Sequence, residues 1–548
     1  MGHVNTIDFS KTKILPSIVE DYFADKLLPK SLYHEIPSLD AIENAIARKQ
    51  LQPVNRTVLV EELYKSYSSY GCNSKISNDE RTNNPTTNNE LTNNQITNHQ
   101  LTSLQSENTF TITTGHQLNI FSGPLYFIYK ICSCIALCKA AKVQFPQYNF
   151  VPVYWMASED HDMAEISSTT VLNEKIEWEQ TWQGCSGKAP LPNFDSLIES
   201  IKVLLSNQPN INELIALFES SYLQSTNLAE ATFKLVHQLF HVYGLIIIDA
   251  DNANLKALCK DIFKKELREQ FSFNALSATN EQLQSTYDLQ IKPREINLFY
   301  NGPESRNRIV KNGDKFEVLN TDISFTDSDA WVDANFANIS PNVVLRPVYQ
   351  EFILPNLAYI GGPGEVGYWL QLKSTFDAAN VPFPLVVLRD SFLLLDAKAQ
   401  EAMTKLSLTD EDLFLTSDEL SRKYIESKNI NVIDFVDVQS KVDEIFESIS
   451  SKIGAVDPTL VFAVGGEKQR TSKAIQAIEE KIIKALKRQD ETGINKIQNL
   501  KNKLFPNGSY QERTINFSQY FAAYGNKFID EILSHSNPLN TQLKIIRL

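Results

Sequence analysis

The sequence predicts an α/β fold built on an open sheet, and three features carry that reading. Thr109 to Thr113 is a β-rich run closed by a turn at Gly115, and Asn149 to Met156 is a second apolar run. Between them Leu125, Ile128, Cys132 and Ile135 recur at helical spacing. Strand, helix and strand then form a right-handed crossover whose loops open at the carboxyl ends of the strands, where small ligands bind in such sheets. Ser122-Gly123-Pro124 supplies the helix start, with a cap and an early proline.

Upstream of the crossover, Leu39 to Tyr67 reads as one or two helices. The segment from about Asn73 to Asn108 is rich in Asn and Thr and repeats every five residues from Glu80 to Leu104. That period matches neither helix nor strand, so the segment is expected to be a mobile surface loop supplying little core. Its His99 is not expected to be catalytic. Downstream, Leu245 to Ile248 forms a short buried strand ending at Asp249 and Asp251. Ile296 to Tyr300, Arg308 to Val310 and Phe316 to Leu319 look like β hairpins of an inserted region spanning about 165–345. A final α/β stretch runs from Val343 to Arg389, where Gly361, Gly362 and Gly364 punctuate a turn before a helix beginning near Glu365. Leu385 to Leu388 is its closing strand.

Beyond Asp396 the chain turns to long polar helices. Val442, Ile445 and Ile449 follow a three-then-four spacing, as do Ile475, Ile478, Ile482 and Ala485, and later Ile497, Leu500 and Leu504. These are seams of an antiparallel hairpin or coiled coil, or the apolar stripes of ordinary amphipathic helices. LKIIRL at the end reads as a strand returning to the body. The expected division is therefore 1–390, 391–515 and 516–548.

Composition bounds the function. A chain of 548 residues exceeds what one hydrophobic core normally supports. No apolar stretch is long enough to span a bilayer, and the net charge of -14 argues against nonspecific nucleic-acid binding. Six cysteines in so long a chain do not make a disulfide framework, and the start lacks an apolar secretory core, so a reducing cytoplasm is expected.

Chemistry concentrates at the strand ends. Backbone donors around Gly115, Ser122 and Gly123, with His116 and Gln117, suit a phosphate or carboxylate near a helix amino terminus. Glu159, Asp160, His161 and Asp162 crowd three carboxylates and an imidazole into consecutive positions, suiting a general base or an ammonium site. A contiguous run cannot aim every side chain at one ion, and no metal-ligand spacing accompanies it, so no metal site is expected. Arg346, Gln350 and Glu351 precede the glycine turn, and Glu365, Tyr368 and Trp369 follow it. Arginine suits a carboxylate, and an aromatic beside a glycine turn can wall a sugar or base.

Taken together, TTGHQLNIFSGPLYFIYK, VPVYWMASEDHDMAEI, GLIIIDAD, RPVYQEFILPNLAYIGGPGEVGYWLQLK and QERTINF resemble the bacillithiol biosynthesis cysteine-adding enzyme family, BshC, in order and over nearly the whole chain. The resemblance implies a Rossmann-like nucleotidyltransferase core akin to class I aminoacyl-tRNA synthetases, with connecting insertions and a C-terminal α-helical coiled coil supporting a homodimer. It implies a ligase joining cysteine to glucosaminyl-malate. ATP is the expected cosubstrate, with Mg2+ as its possible companion. By that resemblance Gly115, His116 and Gln117 take the place of the signature that contacts nucleotide phosphates. Gln117, Asp160, His161 and Asp162 are then the catalytic candidates. Glu159, Arg346, Gln350, Glu351, Gly361, Gly362, Glu365, Tyr368, Trp369 and Arg389 are the substrate-binding candidates, with Arg346 or Arg389 facing the malate carboxylates. A metal-dependent hydrolase using the acidic cluster and a noncatalytic coiled-coil scaffold are the alternatives.

Overall fold

Five parallel strands form the central sheet: β1 (Thr109–His116), β2 (Asn149–Met156), β3 (Ile246–Asp249), β4 (Asn356–Gly361) and β5 (Leu385–Leu388). They lie in the order β5-β4-β1-β2-β3, which read from the other edge is the doubly wound order 3-2-1-4-5. The computed structural model describes residues 4–27, 29–72, 93–428 and 435–548. Every residue of β1 except His116, and of β2 except Asn149, is buried, as a parallel sheet covered on both faces requires. Helix α1 (Tyr126–Gln144) makes the crossover from β1 to β2, and its Cys134, Leu137, Cys138 and Ala141 pack with Phe110, Ile112, Leu357 and Ile360 into one apolar cluster.

The register sets the strand ends side by side. Gly115 lies opposite Trp155 and His116 opposite Met156, Met156 lies opposite Asp249, and Gly361 lies opposite Leu388. The strand order reverses between β1 and β4, so a crevice opens between their carboxyl ends. Helices α2 (Arg346–Ile353) and α3 (Pro363–Gln371) flank β4. The hairpins expected in the inserted region are present as Leu298–Asn301, Arg306–Asn312 and Lys315–Val318, within a separate antiparallel sheet.

The chain divides into two units, one of Asp8–Phe392 with Gln511–Lys544, the other of the N-terminal residues through Ile7, Leu393–Tyr510 and Ile545–Leu548. Both are discontinuous. In the smaller unit, α4 (Phe435–Gly454) and α5 (Leu460–Gln489) form an antiparallel hairpin, tied by Gln439 Nε2 to Ser472 Oγ at 2.8 Å and Lys468 to Asp443 at 3.0 Å.

Three expectations need correction. Of the loop at 73–108, residues 73–92 lie outside the described residues, but Asn93–Ser103 is helical. Thr97, Leu101 and Leu104 are buried at helical spacing, and Tyr64 hydroxyl meets Thr102 Oγ1 at 2.7 Å. The five-residue repeat hid this period. Ser122 does not cap α1: it closes a tight turn in which Phe121, Ser122 and Gly123 all have positive φ, of 51°, 68° and 66°. Finally, Ile445 and Ile478, read as seam residues, are 57% and 53% exposed, whereas Ile497, Leu500 and Leu504 are buried. Within one chain neither α4 nor α5 buries a residue fully, and spacing alone does not say which stripe faces a neighbour.

Candidate active site

A cleft of about 1130 Å³ opens over the carboxyl ends of the strands. Gly115, His116, Gln117, Glu159, Asp160, His161 and Asp162 line it, as do Arg346, Gly362, Glu365, Tyr368 and Arg389. At the switch point the Arg346 guanidinium lies 5.7 Å from the ring of Tyr359 and donates to Gln350 Oε1 at 3.0 Å. Burial opposes its charge, but Tyr359, Tyr368 and Glu365 hold it protonated beyond its ordinary range. A Cβ at position 115 would sit 3.5 Å from Arg346 Nη1 and a tight 3.3 Å from Tyr359 Oη, so glycine there gives the Tyr359 hydroxyl room beside the strand end.

Beneath this point Lys130, on α1, is buried. It donates to Gly115 O at 2.8 Å and pairs with Glu365 Oε2 at 2.5 Å. Glu365 also accepts from Tyr359 hydroxyl at 2.8 Å and from Gly362 N–H at 2.9 Å. Burial would raise its carboxyl, yet Lys130 and these donors hold it below the ordinary range. Glu365 thus ties the β4–α3 turn to α1.

The acidic cluster separates into four environments. Glu159 is buried, and neither carboxylate oxygen has a hydrogen-bond partner. Burial pushes its carboxyl up to about 7, against the pull of Lys256, Arg306 and Arg346. Asp160 accepts from Gln117 Nε2 at 2.7 Å and from the His161 N–H at 2.7 Å, with Arg306 Nη1 at 3.5 Å. Burial works against ionisation there too, but His161, Arg306 and Gln117 hold the carboxyl well below its usual range. His161 Nδ1 lies 3.3 Å from Arg306 Nη1. Asp162 accepts from Glu165 N–H at 3.2 Å and caps the helix Met163–Ile166. Side chains so divided do not converge on one ion, and no metal-holding group of three or more His, Cys, Asp or Glu occurs among the described residues.

A turn from the insertion straps this loop. Ser186 N–H donates to Asp160 O at 2.6 Å and Gly187 N–H to Ser158 O at 2.8 Å, bracketing Glu159. A Cβ on Gly187 would lie 2.7 Å from Ser158 Cβ, so the strap approaches this closely only with glycine.

Several expected residues have other tasks. His116 packs against Tyr126 and Phe127 at 5.3 and 5.2 Å, and burial lowers its imidazole to about 3, so it offers no positive charge to a phosphate. Gln117 commits its amide to Asp160 and, at 2.9 Å, to Glu165. Ser122 and Gly123 are not among the lining residues; Asn516 Nδ2 donates to Gly123 O at 2.6 Å, and Leu125 N–H donates to Ile515 O at 2.8 Å. The helix start is therefore already partnered by the C-terminal segment.

Gln350 and Glu351 are fully buried; Gln350 takes up the Arg346 guanidinium, and Glu351 turns to Asn356 at the amino end of β4. Glu351 Oε1 accepts from Gln350 Nε2 at 2.8 Å and Asn356 Nδ2 at 2.7 Å, while Asn356 Oδ1 accepts from Thr111 and Thr113. Gly361 is absent from the lining, and Trp369 is a core residue stacked on Tyr359 at 4.0 Å. Arg389 reaches the cleft wall, but its guanidinium is held bidentately by buried Glu512, at 3.0 and 2.6 Å.

Sequence reasoning missed Lys130, Arg306, Lys292, Arg294 and Arg513, all of which line the cleft. Lys130 interrupts an otherwise apolar stretch of α1, a readable signal. Arg306 sits in an inserted hairpin and carries none; its guanidinium is fixed by Ser340 Oγ at 3.0 Å and Pro341 O at 2.9 Å and lies over the Phe299 ring at 4.2 Å.

Residues 3–390 match the family described as bacillithiol biosynthesis BshC, N-terminal Rossmann-like domain, and residues 392–548 match its C-terminal coiled-coil domain. A protein of Flavobacterium johnsoniae is 38% identical, covering 99% of both chains, and one of Flavobacterium psychrophilum is 38% identical, again covering 99% of both. A protein of Christiangramia forsetii is 33% identical over 99% of this chain and 98% of its own. All three carry the name "Putative cysteine ligase BshC". A solved "putative arginyl t-RNA synthetase" of Campylobacter jejuni aligns with 81% of this chain and 98% of its own at 11% identity and a TM-score of 0.22.

Proposed function

Because this chain belongs to the BshC family of bacillithiol biosynthesis and is a ligase of that family, we propose that its cleft joins the carboxyl group of cysteine to the amine of glucosaminyl-malate. The observation that carries the mechanism is Glu159, a buried, unpartnered carboxyl whose affinity for a proton lies near neutrality, inside a cleft at the switch point of a doubly wound sheet.

A carboxylate does not yield to an amine without activation. In the proposed reaction a carboxylate oxygen of cysteine attacks the α-phosphorus of ATP and pyrophosphate leaves. The amine then attacks the acyl carbon, and AMP leaves with that oxygen. Arg346 at the strand end would balance the charge on the phosphates, fixed there by Tyr359, Tyr368 and Glu365. Glu159 would take the proton released by the attacking amine, since a base works best with a pKa near the working pH. Asp160, held ionised by Arg306 and Gln117, is a poor base but a stable counterion for the cysteine ammonium. His161, beside Arg306, would border the same subsite.

No helix among the described residues is long and apolar enough to cross a membrane, and the proposed setting is the cytoplasm. The proposed assembly is a homodimer through the helical hairpin, supported by the exposure of Ile445, Phe462 and Ile478 along it.

The testing experiment incubates the protein with cysteine, glucosaminyl-malate and ATP and follows products by mass spectrometry. Bacillithiol with AMP and pyrophosphate is expected; ADP in their place would replace the adenylate with an acyl-phosphate, and no product from folded protein would overturn the reading. Gly115→Ala should lower kcat/KM by about 10-fold by shifting the Tyr359 hydroxyl beside Arg346, with a stability cost of only about 1 kcal/mol. Steady-state kinetics and denaturant melts would check both.

A further inference from the structure

The acceptor proposed above carries two carboxylates, and Arg389, one of the two arginines expected from the sequence to face them, is already held by Glu512 on both of its terminal nitrogens. Three other cations line the same cleft: Lys292, Arg294 and Arg513. All three are exposed, and their side chains have no hydrogen bond or ion pair among the described residues. In a chain of net charge -14, unpaired cations gathered at one cleft call for an anionic ligand.

Their backbones are anchored although their charged ends are free. Lys292 and Arg294 lie on the segment Gln290 to Arg294, which is bound to α3 through buried Gln371. Gln371 Oε1 accepts from Gln290 N–H at 3.2 Å and Ile291 N–H at 3.4 Å, and its Nε2 donates to Ile291 O at 3.2 Å and Asn280 Oδ1 at 2.8 Å. Buried Ile291 completes the anchor. Arg513 follows Glu512, whose pairing with Arg389 fixes that segment from the other end of the chain. Arg346, by contrast, sits at the switch point, where the nucleotide phosphates are placed in the proposed reaction.

We propose that Lys292, Arg294 and Arg513 form the rim that recognises the dicarboxylate end of the acceptor, with Gln371 as the positioning residue that sets the first two. The inference rests on the ligase reading of the cleft. Guanidinium forks match carboxylates bidentately, and exposed cations raise the encounter rate with a dianion more than with a neutral sugar.

The test compares glucosaminyl-malate with methyl glucosaminide, which has the amine but no carboxylate, in wild-type protein and in Arg294→Ala/Arg513→Ala. Wild type should prefer the malyl acceptor, and the double variant should lose about 10-fold or more in kcat/KM for it while changing less than about twofold for methyl glucosaminide. KM for ATP should stay within about twofold. Gln371→Leu should reproduce the acceptor defect, with the preference partly rescued in Gln371→Glu, whose carboxylate still accepts from the Gln290 and Ile291 N–H groups. A rise in KM for ATP in place of the acceptor would assign the rim to phosphates and overturn the proposal, as would an unchanged preference. Absence of ligation by wild type would instead fail the parent reading, so the two failures are separable.

Discussion

Glu159→Gln should lower kcat by about 100-fold to 10,000-fold and abolish the acidic limb of the pH profile. In the wild type, kcat should rise with pH through about 7, as the raised Glu159 carboxyl ionises and becomes able to take a proton. The same residue gives an opposite signal in stability. Its carboxyl lies near 7 in the folded protein and at its ordinary value of 4.5 when unfolded, so between these values the unfolded chain holds fewer protons. Folding stability therefore falls as pH rises across that window. Relative to wild type, Glu159→Gln should gain about 1–3 kcal/mol between pH 5 and pH 8. Loss of turnover with a pH-dependent gain in stability cannot come from misfolding. A variant that kept the acidic limb would place the base elsewhere, and denaturant melts at the two pH values would expose a purely structural role.

Arg389→Ala should destabilise the protein by about 3–5 kcal/mol, because it leaves the Glu512 carboxylate buried and unpaired. Both side chains are 2% exposed, and Arg389 Nη1 also donates to Asp390 O and Ser391 Oγ. Replacing the pair together, as Arg389→Met with Glu512→Leu, should recover much of that loss, since apolar residues of similar volume remove both charges. If Arg389 were instead a substrate contact, the single variant would keep its melting temperature and raise the acceptor KM alone. Thermal melts of the three proteins alongside acceptor titrations decide between the two roles.

Much of the sheet was legible because a parallel strand buried on both faces leaves an unbroken apolar run, as at Leu245 to Ile248 and Leu385–Leu388. The cleft was legible for a related reason: in a doubly wound sheet, polar residues directly after such runs fall on one edge, which brought Gly115, Gln117, Glu159 and Asp160 together. Spacing could not show which polar side chains turn inward. Gln350 and Glu351 follow Arg346 closely in sequence, yet both are buried: Gln350 bridges Arg346 to Glu351, and Asn356 and Lys49 engage Glu351. Nor could spacing reveal partners from distant segments. Glu512 is 123 residues from Arg389 and holds its guanidinium, while Arg306 is 145 residues from His161 and reaches the acidic cluster from an inserted hairpin. Asn93–Ser103 escaped notice because its repeat advertised a period of five, while its buried Thr97, Leu101 and Leu104 keep helical spacing beneath it.

The proposed mechanism makes one prediction about a single atom. Cysteine labelled with 18O in its carboxylate, incubated with the protein, ATP and glucosaminyl-malate, should transfer one labelled oxygen to AMP as the amide forms. Label in AMP, dependent on both cysteine and acceptor, is the result expected of activation through an acyl-adenylate in this cleft. Label in orthophosphate, or amide formed with none in AMP, would contradict it.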